Sequence, residues 1–133
     1  MIVVDTSVWV DFIRGSDTAA HRALVLLLRD KRDIATTETV TMEVLAGSHR
    51  REVRALRALL AGFPVLPLHG LSDFEEAAAL YRKCRDGGET VRELSDCLIA
   101  VPAIRAGAPV LHADADFDKL ARHTPLEVLS LDE

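Results

Sequence analysis

The 133-residue sequence has few cysteines, no excess of positive charge and no long hydrophobic run. Its two cysteines, Cys84 and Cys97, form neither a CxxC pair nor a disulfide framework, so a reducing compartment suits them. The 21 acidic and 16 basic residues give a net charge of -5, which excludes a generally basic nucleic-acid-binding protein. Any contact with nucleic acid must therefore be local.

No segment has the pattern of a membrane span or a secretion signal. The apolar runs 26–28 and 98–104 are far shorter than the ~18 residues that a bilayer-crossing helix needs. No basic region precedes the first apolar run, which Asp5 interrupts. We therefore expect a cytoplasmic protein that does not bind membranes. Because a domain averages about 150 residues, residues 1–133 are expected to form one domain.

Apolar spacing and turn residues predict strands that alternate with helices. Short β-branched or apolar runs predict strands at 2–4, 33–36, 65–66, 110–111 and 128–129. Helical spacing predicts one helix after Asp5 and others at 19–29, 37–46, 50–60, 72–84, 93–106 and 117–122. Strands so far apart in sequence pair in parallel, so the prediction is an α/β fold, a three-layer α/β/α sandwich around a mainly parallel sheet.

The ends of these helices have recognisable signals. Hydroxyl residues are expected to cap three of them: Thr6 or Ser7, Thr36 or Thr37, and Ser72 in a capping box with Glu75. Gly47, Gly87 and Gly107 are expected to end helices. Pro102 removes one backbone hydrogen bond from the helix at 93–106, so we expect a kink there.

Carboxylates lie where the predicted strands end. Asp5 closes the first strand, and Asp114 and Asp116 follow the strand at 110–111. Asp96 is at the start of an almost wholly apolar helix, and Glu43 is in the helix after the second strand. Because ligands bind at the carboxyl ends of strands in open α/β sheets, four segments can bring these side chains together.

Each carboxylate also has a purely structural interpretation. Asp5, Asp114 and Asp116 fit helix caps or turn residues, and Glu43 fits a solvated helix face. Asp96 is the most informative, because its helix has almost no polar face and a buried charge without a partner is costly. A cation close to Asp96 would offset that cost.

The ligand types predict which metal fits. The five histidines are scattered and neither His nor Cys has zinc spacing, whereas carboxylate oxygens favour Mg²⁺ or Mn²⁺. Such ions orient a water nucleophile and neutralise charge that develops on a phosphate, so the pattern predicts phosphodiester hydrolysis. If the five carboxylates at the predicted site are set aside, 16 acidic and 16 basic residues remain. The acidic excess of the chain is therefore expected to lie in one pocket.

Four motifs occur in order along the whole chain: IVVDTS at 2–7, MEVLAG around Glu43, SDCLIA around Asp96, and HADADF at 112–117. In these motifs and their separations the sequence resembles the PIN-domain ribonucleases, specifically the VapC-type toxins of toxin–antitoxin pairs. The resemblance implies one PIN domain over 1–133. It also implies a metal-dependent endoribonuclease, commonly dimeric, that a cognate VapB-type antitoxin holds inactive.

The resemblance also implies roles for single residues. The catalytic quartet corresponds to Asp5, Glu43, Asp96 and Asp114, which with Asp116 would hold the metal. Thr6 and Ser7 match hydroxyl residues that hold the first carboxylate or a water molecule beside the metal.

The sequence leaves the roles of two features open. The segment Gly88–Arg92 resembles one that precedes the third motif in close relatives, where a structural loop and a substrate contact are both possible. His112 stands where a hydroxyl residue is common, and it fits either a plain hydrogen bond or a donor to phosphate.

Two surfaces are candidates for partners. RNA could contact the stripe Arg50, Arg54 and Arg57, or a second basic group that comprises Arg82, Lys83, Arg85 and Arg92; a solvated face is the alternative for the stripe. Apolar helices that carry Trp9, Phe12 and Ile13 offer a groove for an antitoxin segment or a second subunit, or else they pack in the core. An antitoxin Arg or Lys among the carboxylates would replace the charge of the metal.

Other acidic-site proteins fit less well. A haloacid-dehalogenase-like phosphatase needs an aspartate where Ser7 stands, and the paired acids of a receiver domain are missing. The remaining alternative is a non-catalytic PIN-fold module that binds RNA or a protein, against which the intact acidic set argues.

Overall fold

The computed structural model describes residues 1–129 and 131. Strands and helices alternate along this part of the chain: β1 Ile2–Val4, α1 Thr6–Arg14, α2 Ala19–Arg29, β2 Ile34–Thr37, α3 Glu38–Ala46, α4 Val53–Leu60, β3 Val65–Leu66, α5 Leu71–Asp86, α6 Leu94–Ala106, β4 Val110–Leu111, α7 Ala115–His123 and β5 Val128–Leu129. Every residue of β1 and β2 is buried, as parallel strands covered by helices on both faces must be. Within the described residues, no helix is long and apolar enough to span a membrane.

The five strands form one sheet in the order β3-β2-β1-β4-β5, and each neighbouring pair is parallel. Val3 of the central strand lies opposite Ala35 on one side and Val110 on the other. Helices α1–α4 pack against one another, and so do α5–α7. The α/β/α sandwich expected from the sequence is confirmed, and between these strands the pairing is entirely parallel.

The core surrounds β1 and β4. Trp9 and Phe117 are its largest fully buried side chains, and the Trp9 ring stands edge-on to Phe12 with centroids 6.0 Å apart. Cys84 and Cys97 are both buried and free, so the prediction that they form no disulfide is confirmed.

At two predicted helix starts the hydroxyl cap is wrong, and at the first of them the alternative of an Asp5 cap is confirmed. Asp5, not Thr6 or Ser7, caps α1, because the chain is still extended at Asp5 and its carboxylate accepts the Ser7 N–H. The capping box of Ser72 is absent: α5 begins directly after Gly70, so Ser72 lies in the first turn and its hydroxyl donates to the His69 carbonyl oxygen.

Other boundaries differ less. Helix α4 begins at Val53 rather than at residue 50, because residues 50–52 form a turn in which the Glu52 N–H donates to the His49 carbonyl. Thr37 caps α3 as expected, and the three glycines follow the helices that they were expected to end. Helix α6 continues through Pro102, which is buried within it. The kink at Pro102 stays a prediction.

The topology gathers four chain segments at one edge of the sheet. Helices α1, α3 and α7 follow β1, β2 and β4 after at most three residues, at the carboxyl ends of these strands. Helix α6 contacts both α3 and α7, which brings its first turn to the same edge. The segments that carry the predicted acidic residues therefore meet in one place.

Candidate active site

The two carboxylate oxygens of Asp5 have different surroundings. Oδ2 accepts hydrogen bonds from the Ser7 N–H at 3.1 Å and the Ser7 hydroxyl at 2.6 Å. Oδ1 is buried and has no hydrogen-bond partner among the described residues. Burial, together with the charge of Glu43, raises the pKa of Asp5 despite the Ser7 hydrogen bonds. One oxygen thus caps α1, and the other is left for a ligand.

Asp96 lies in the first turn of α6 and is only 5% exposed. Its Oδ2 is buried without a hydrogen-bond partner in the described part of the chain. Burial and the neighbouring carboxylates of Asp5, Asp114 and Asp116 raise the pKa of Asp96 to about 9. The fold therefore holds a carboxyl group where its charged form lacks a compensating cation.

Asp114 and Asp116 complete a compact cluster with Asp96. One carboxylate oxygen from each of the three lies within 4.8 Å of the others, close enough to hold one ion. Asp114 is the N-cap of α7, and its Oδ1 accepts the Asp116 N–H at 2.9 Å. Asp114 is therefore both the cap of α7 and a member of the cluster.

Asp116 is held from both sides by protein donors. The Arg92 N–H lies 3.0 Å from each of its oxygens, and the Glu93 N–H donates to Oδ2 at 2.9 Å. Lys119 Nζ donates to Oδ1 at 3.2 Å. Burial acts to raise the pKa of Asp116, but these N–H groups and the Lys119 charge hold it below its usual value. Asp116 is thus a fixed, ionised member of the cluster.

Glu43 is tied to the cluster through hydroxyl groups. Its Oε1 accepts the Thr6 hydroxyl at 2.8 Å, and its Oε2 accepts the Ser95 hydroxyl at 3.1 Å. Thr6 therefore holds Glu43, whereas Ser7 holds Asp5. Sequence reasoning missed Ser95, although its position directly before Asp96 is a local signal.

A second cluster clamps the loop 88–92 to α7, which gives the loop a structural role, and its contact with substrate stays a prediction. Glu89 accepts hydrogen bonds from Arg122 at 2.7 and 2.6 Å and lies 2.9 Å from His123 Nε2. These hydrogen bonds lower the pKa of Glu89 to about 2. A Cβ on Gly87 would lie 2.4 Å from His123 Nδ1, so only glycine lets the His123 ring pack there. The clamp fixes the backbone that donates to Asp116.

His112 makes plain hydrogen bonds. Its Nδ1 accepts the Asp114 N–H at 3.1 Å, and its Nε2 lies 3.2 Å from Asp118 Oδ1. An accepting Nδ1 places the proton of the neutral ring on Nε2, which then donates to Asp118. The His112 ring is buried against Phe117, with centroids 5.3 Å apart. Of the two open roles, the contacts support hydrogen bonding within the protein.

The predicted RNA-binding arginines fall into two places. Arg54 and Arg57 lie on the exposed face of α4, and Arg50 lies in the turn before it; between the described residues, no hydrogen bond joins this stripe to the carboxylates. The exposed Arg92 side chain instead lines a cavity of about 320 Å³ with Ser7, Asp114, Asp116 and Lys119. Sequence reasoning missed Lys119, although its spacing three residues after Asp116 is a helical ion-pair signal.

The apolar residues of α1 pack mainly in the core. Trp9 is fully buried, and Phe12 and Ile13 are partly buried against the core. Ile13 also lines a cavity of about 210 Å³ together with Val10, Val44 and Leu56, between α1, α3 and α4.

The residues fit a divalent metal. Two buried carboxylate oxygens, Asp5 Oδ1 and Asp96 Oδ2, lack hydrogen-bond donors within the described residues, and the ionised form of each carboxylate needs positive charge nearby. The donor set contains only carboxylates, which suits a hard cation such as Mg²⁺ or Mn²⁺.

Known proteins are similar to this chain in sequence and in fold. The PIN domain family model matches residues 2–123. Ribonuclease VapC11 of Mycobacterium tuberculosis is 43% identical over 132 residues, which cover 98% of each chain. VapBC-5 from Mycobacterium tuberculosis has a TM-score of 0.63 at 28% identity, with 96% of both chains covered. VapBC2 from Rickettsia felis, solved with a promoter DNA fragment, has a TM-score of 0.72 at 19% identity, with 97% of this chain and 98% of that chain covered. The chain belongs to the PIN-domain family, among the VapC relatives.

Proposed function

We propose that this protein is a metal-dependent endoribonuclease toxin that hydrolyses RNA phosphodiester bonds. One observation carries the proposal: the buried oxygens Asp5 Oδ1 and Asp96 Oδ2 lack hydrogen-bond partners in the described residues, and Asp96 forms an all-carboxylate cluster with Asp114 and Asp116. The 43% identity to a named ribonuclease over nearly the whole chain supports the same reaction here. The substrate class is RNA, whether transfer, ribosomal or messenger.

The carboxylates of Asp5, Glu43, Asp96, Asp114 and Asp116 would hold Mg²⁺ or Mn²⁺. When bound, the metal supplies positive charge that orients a water nucleophile and neutralises charge developing on the phosphate. Four of the five carboxylates have donors in the chain, hydroxyl groups at Asp5 and Glu43 and backbone N–H groups at Asp114 and Asp116. This preorganisation lets the site receive a cation without rearranging.

A VapB-type antitoxin is the proposed partner that keeps the enzyme inactive. The solved relatives from Rickettsia felis and Mycobacterium tuberculosis are VapBC assemblies, which supports a complex of the same kind. The cavity between α1, α3 and α4 offers apolar contacts for an antitoxin segment, and a basic antitoxin side chain would fit the acidic cluster.

A homodimer that acts in the cytoplasm is the proposed working form. Met42, beside Glu43, is 60% exposed, and Leu94, two residues before Asp96, is 56% exposed. Covering such apolar side chains would favour association of two copies near the acidic cluster. Light scattering of the purified chain tests the dimer, because a monomeric mass at micromolar concentration would contradict it.

The test is RNA cleavage by antitoxin-free protein. Wild type is expected to cut RNA with Mg²⁺ or Mn²⁺ and to stop when a chelator is added. Asp5→Asn removes one ligand charge but keeps the shape, and it should lower the rate by at least about a hundredfold. Glu76→Gln, an exposed carboxylate on α5, is the matched control. No cleavage by folded wild type, or equal cleavage by Asp5→Asn, would support a non-catalytic binding module instead.

A further inference from the structure

Two cavities share the turn 113–115, which carries Asp114. The first, of about 320 Å³, is lined by Arg92 and Lys119 and also by Asp114 and Asp116; we call it the cationic cavity after its two basic side chains. The second, which we call the β5 cavity, measures about 430 Å³ and is lined by His112, Asp118, Val128 and Leu129. Because both cavities include the turn 113–115, a ligand bound in either one lies beside the carboxylate cluster.

The β5 cavity combines an apolar wall with one hydrogen-bond acceptor. Val128 and Leu129 of β5 are half-buried and present aliphatic surface. The Asp118 side chain, by contrast, is charged and 51% exposed, and its Oδ1 accepts a hydrogen bond from the His112 Nε2–H. Among the described residues, Asp118 Oδ2 has no hydrogen-bond partner, so it can accept one from a ligand.

The polar atoms that lack partners suit each cavity to a different part of a nucleotide. Asp118 repels phosphate, and the aliphatic wall of the β5 cavity offers nothing to an anion. A planar base suits that wall, because its faces are apolar and its edge carries N–H donors. In the cationic cavity, the Arg92 guanidinium is exposed and, within the described chain, makes no ion pair or hydrogen bond. A phosphate fits there.

We propose that the β5 cavity binds and reads an unpaired nucleobase next to the cleaved bond, while the phosphate backbone of the same RNA strand contacts Arg92. The proposal rests on the ribonuclease function proposed above. The RNA would cross the turn 113–115, so that one nucleotide spans the carboxylate cluster between the two cavities.

Asp118 also indicates which bases are favoured. A carboxylate accepts hydrogen bonds from the amino groups of adenine, cytosine or guanine. Uracil presents its single N–H between two carbonyl oxygens, which the Asp118 carboxylate repels. The β5 cavity is therefore expected to disfavour uracil.

The test measures base discrimination rather than activity alone. The ends of RNA cut by wild type first locate the cleaved bond. Sets of four short RNAs that differ only in the base on one side of that bond then give relative kcat/KM values. Wild type is expected to cut the uracil substrate at one of the two flanking positions slowest. In Asp118→Asn, whose amide donates as well as accepts, uracil should gain about tenfold relative to the other bases.

Matched controls separate base reading from a general defect. Glu76→Gln removes an exposed carboxylate from α5 and should leave the ratios unchanged. An equal loss on all four RNAs in Asp118→Asn would mean that Asp118 acts only by holding His112, and it would overturn the proposal. Wild type without base preference would also overturn it, with the ribonuclease function intact. Absence of cleavage by wild type would overturn both.

Discussion

Asp73 and Asp96 occupy similar positions with opposite electrostatic outcomes. Both lie in the first turn of a helix, α5 and α6 respectively, and they are 4% and 5% exposed. Asp73 is bound by the Arg105 guanidinium and the His69 N–H, and the Arg105 hydrogen bond in particular lowers its pKa. Asp96 is surrounded by other carboxylates, and its pKa is raised to about 9.

The opposite pKa shifts of Asp73 and Asp96 show that burial alone does not identify a carboxylate that binds a ligand. The Asp73–Arg105 pair joins α5 to α6 and leaves Asp73 no need of a ligand. Asp96 lacks a basic partner within the described residues, so its ionised form requires a cation from outside the chain. The sign of the surrounding charge, rather than accessibility, distinguishes the candidate metal ligand Asp96 from Asp73, which forms a structural ion pair.

The largest expected effect is a stability change of opposite sign at these two positions. In metal-free protein at pH 7, Asp96→Asn should raise the free energy of unfolding by roughly 1–3 kcal/mol, because it removes a carboxyl group that the fold disfavours in its charged form. Asp73→Asn should lower the free energy of unfolding, because Arg105 loses its partner. Urea unfolding with a chelator present measures both changes. Two changes of the same sign would contradict the comparison.

The pH dependence of metal-free stability sharpens the comparison. Folded Asp96, with a pKa of about 9, keeps a proton that the unfolded chain releases near pH 3.8. Its contribution is therefore complete below about pH 4 and is lost as the pH rises toward 9. The difference between Asp96→Asn and wild type should grow over this range, and urea unfolding at several pH values would show it. A constant difference would contradict the raised pKa.

A smaller effect is expected at the clamp on the loop before α6. Glu89, with a pKa of about 2, stabilises the fold fully above its ordinary pKa of 4.5 and loses that contribution as the pH falls toward 2. Glu89→Gln should therefore destabilise the protein at pH 7, and the difference from wild type should shrink below pH 4.5. Chemical unfolding at pH 7, 5 and 4 measures this difference in stability. Glu75→Gln, which changes an exposed residue of α5, is the control.

The smallest effect concerns the arginines. In an Asp5→Asn background that blocks cleavage, Arg92→Gln should weaken RNA binding and reduce the slope of log K against log salt by roughly 0.7. Arg54→Gln tests the α4 stripe in the same assay, and an unchanged slope would mark the stripe as a solvated face. Arg32→Gln, at the opposite edge of the sheet, provides a control that should not change the slope.

The sequence predicted the fold and the acidic residues because both follow from local patterns. Apolar runs identify the strands, and Asp5, Asp96 and Asp114 sit beside strand ends or helix starts. It could not show which oxygens remain without partners, because that depends on contacts between distant segments. Glu89 meets Arg122 from 33 residues away, and Glu43 meets Ser95 from 52 residues away. Such pairs have no signature in sequence spacing.

The Ser72 capping box shows that a local sequence signal can also be wrong, because the structure does not contain it. Gly70 adopts φ 75°, and α5 starts immediately after it, before the serine. A backbone angle that only glycine adopts easily thus decided the boundary over the side-chain capping signal.

Calorimetric titration of metal into antitoxin-free protein tests the central claim most directly. We expect Mg²⁺ or Mn²⁺ to bind to wild type and to raise its melting temperature, because the unpartnered oxygens of Asp5 and Asp96 gain a cation. Asp96→Asn should lose both the binding heat and the shift, whereas Asp73→Asn should keep them. No binding to folded wild type, or equal binding to Asp96→Asn, would contradict the claim that these carboxylates form a metal site.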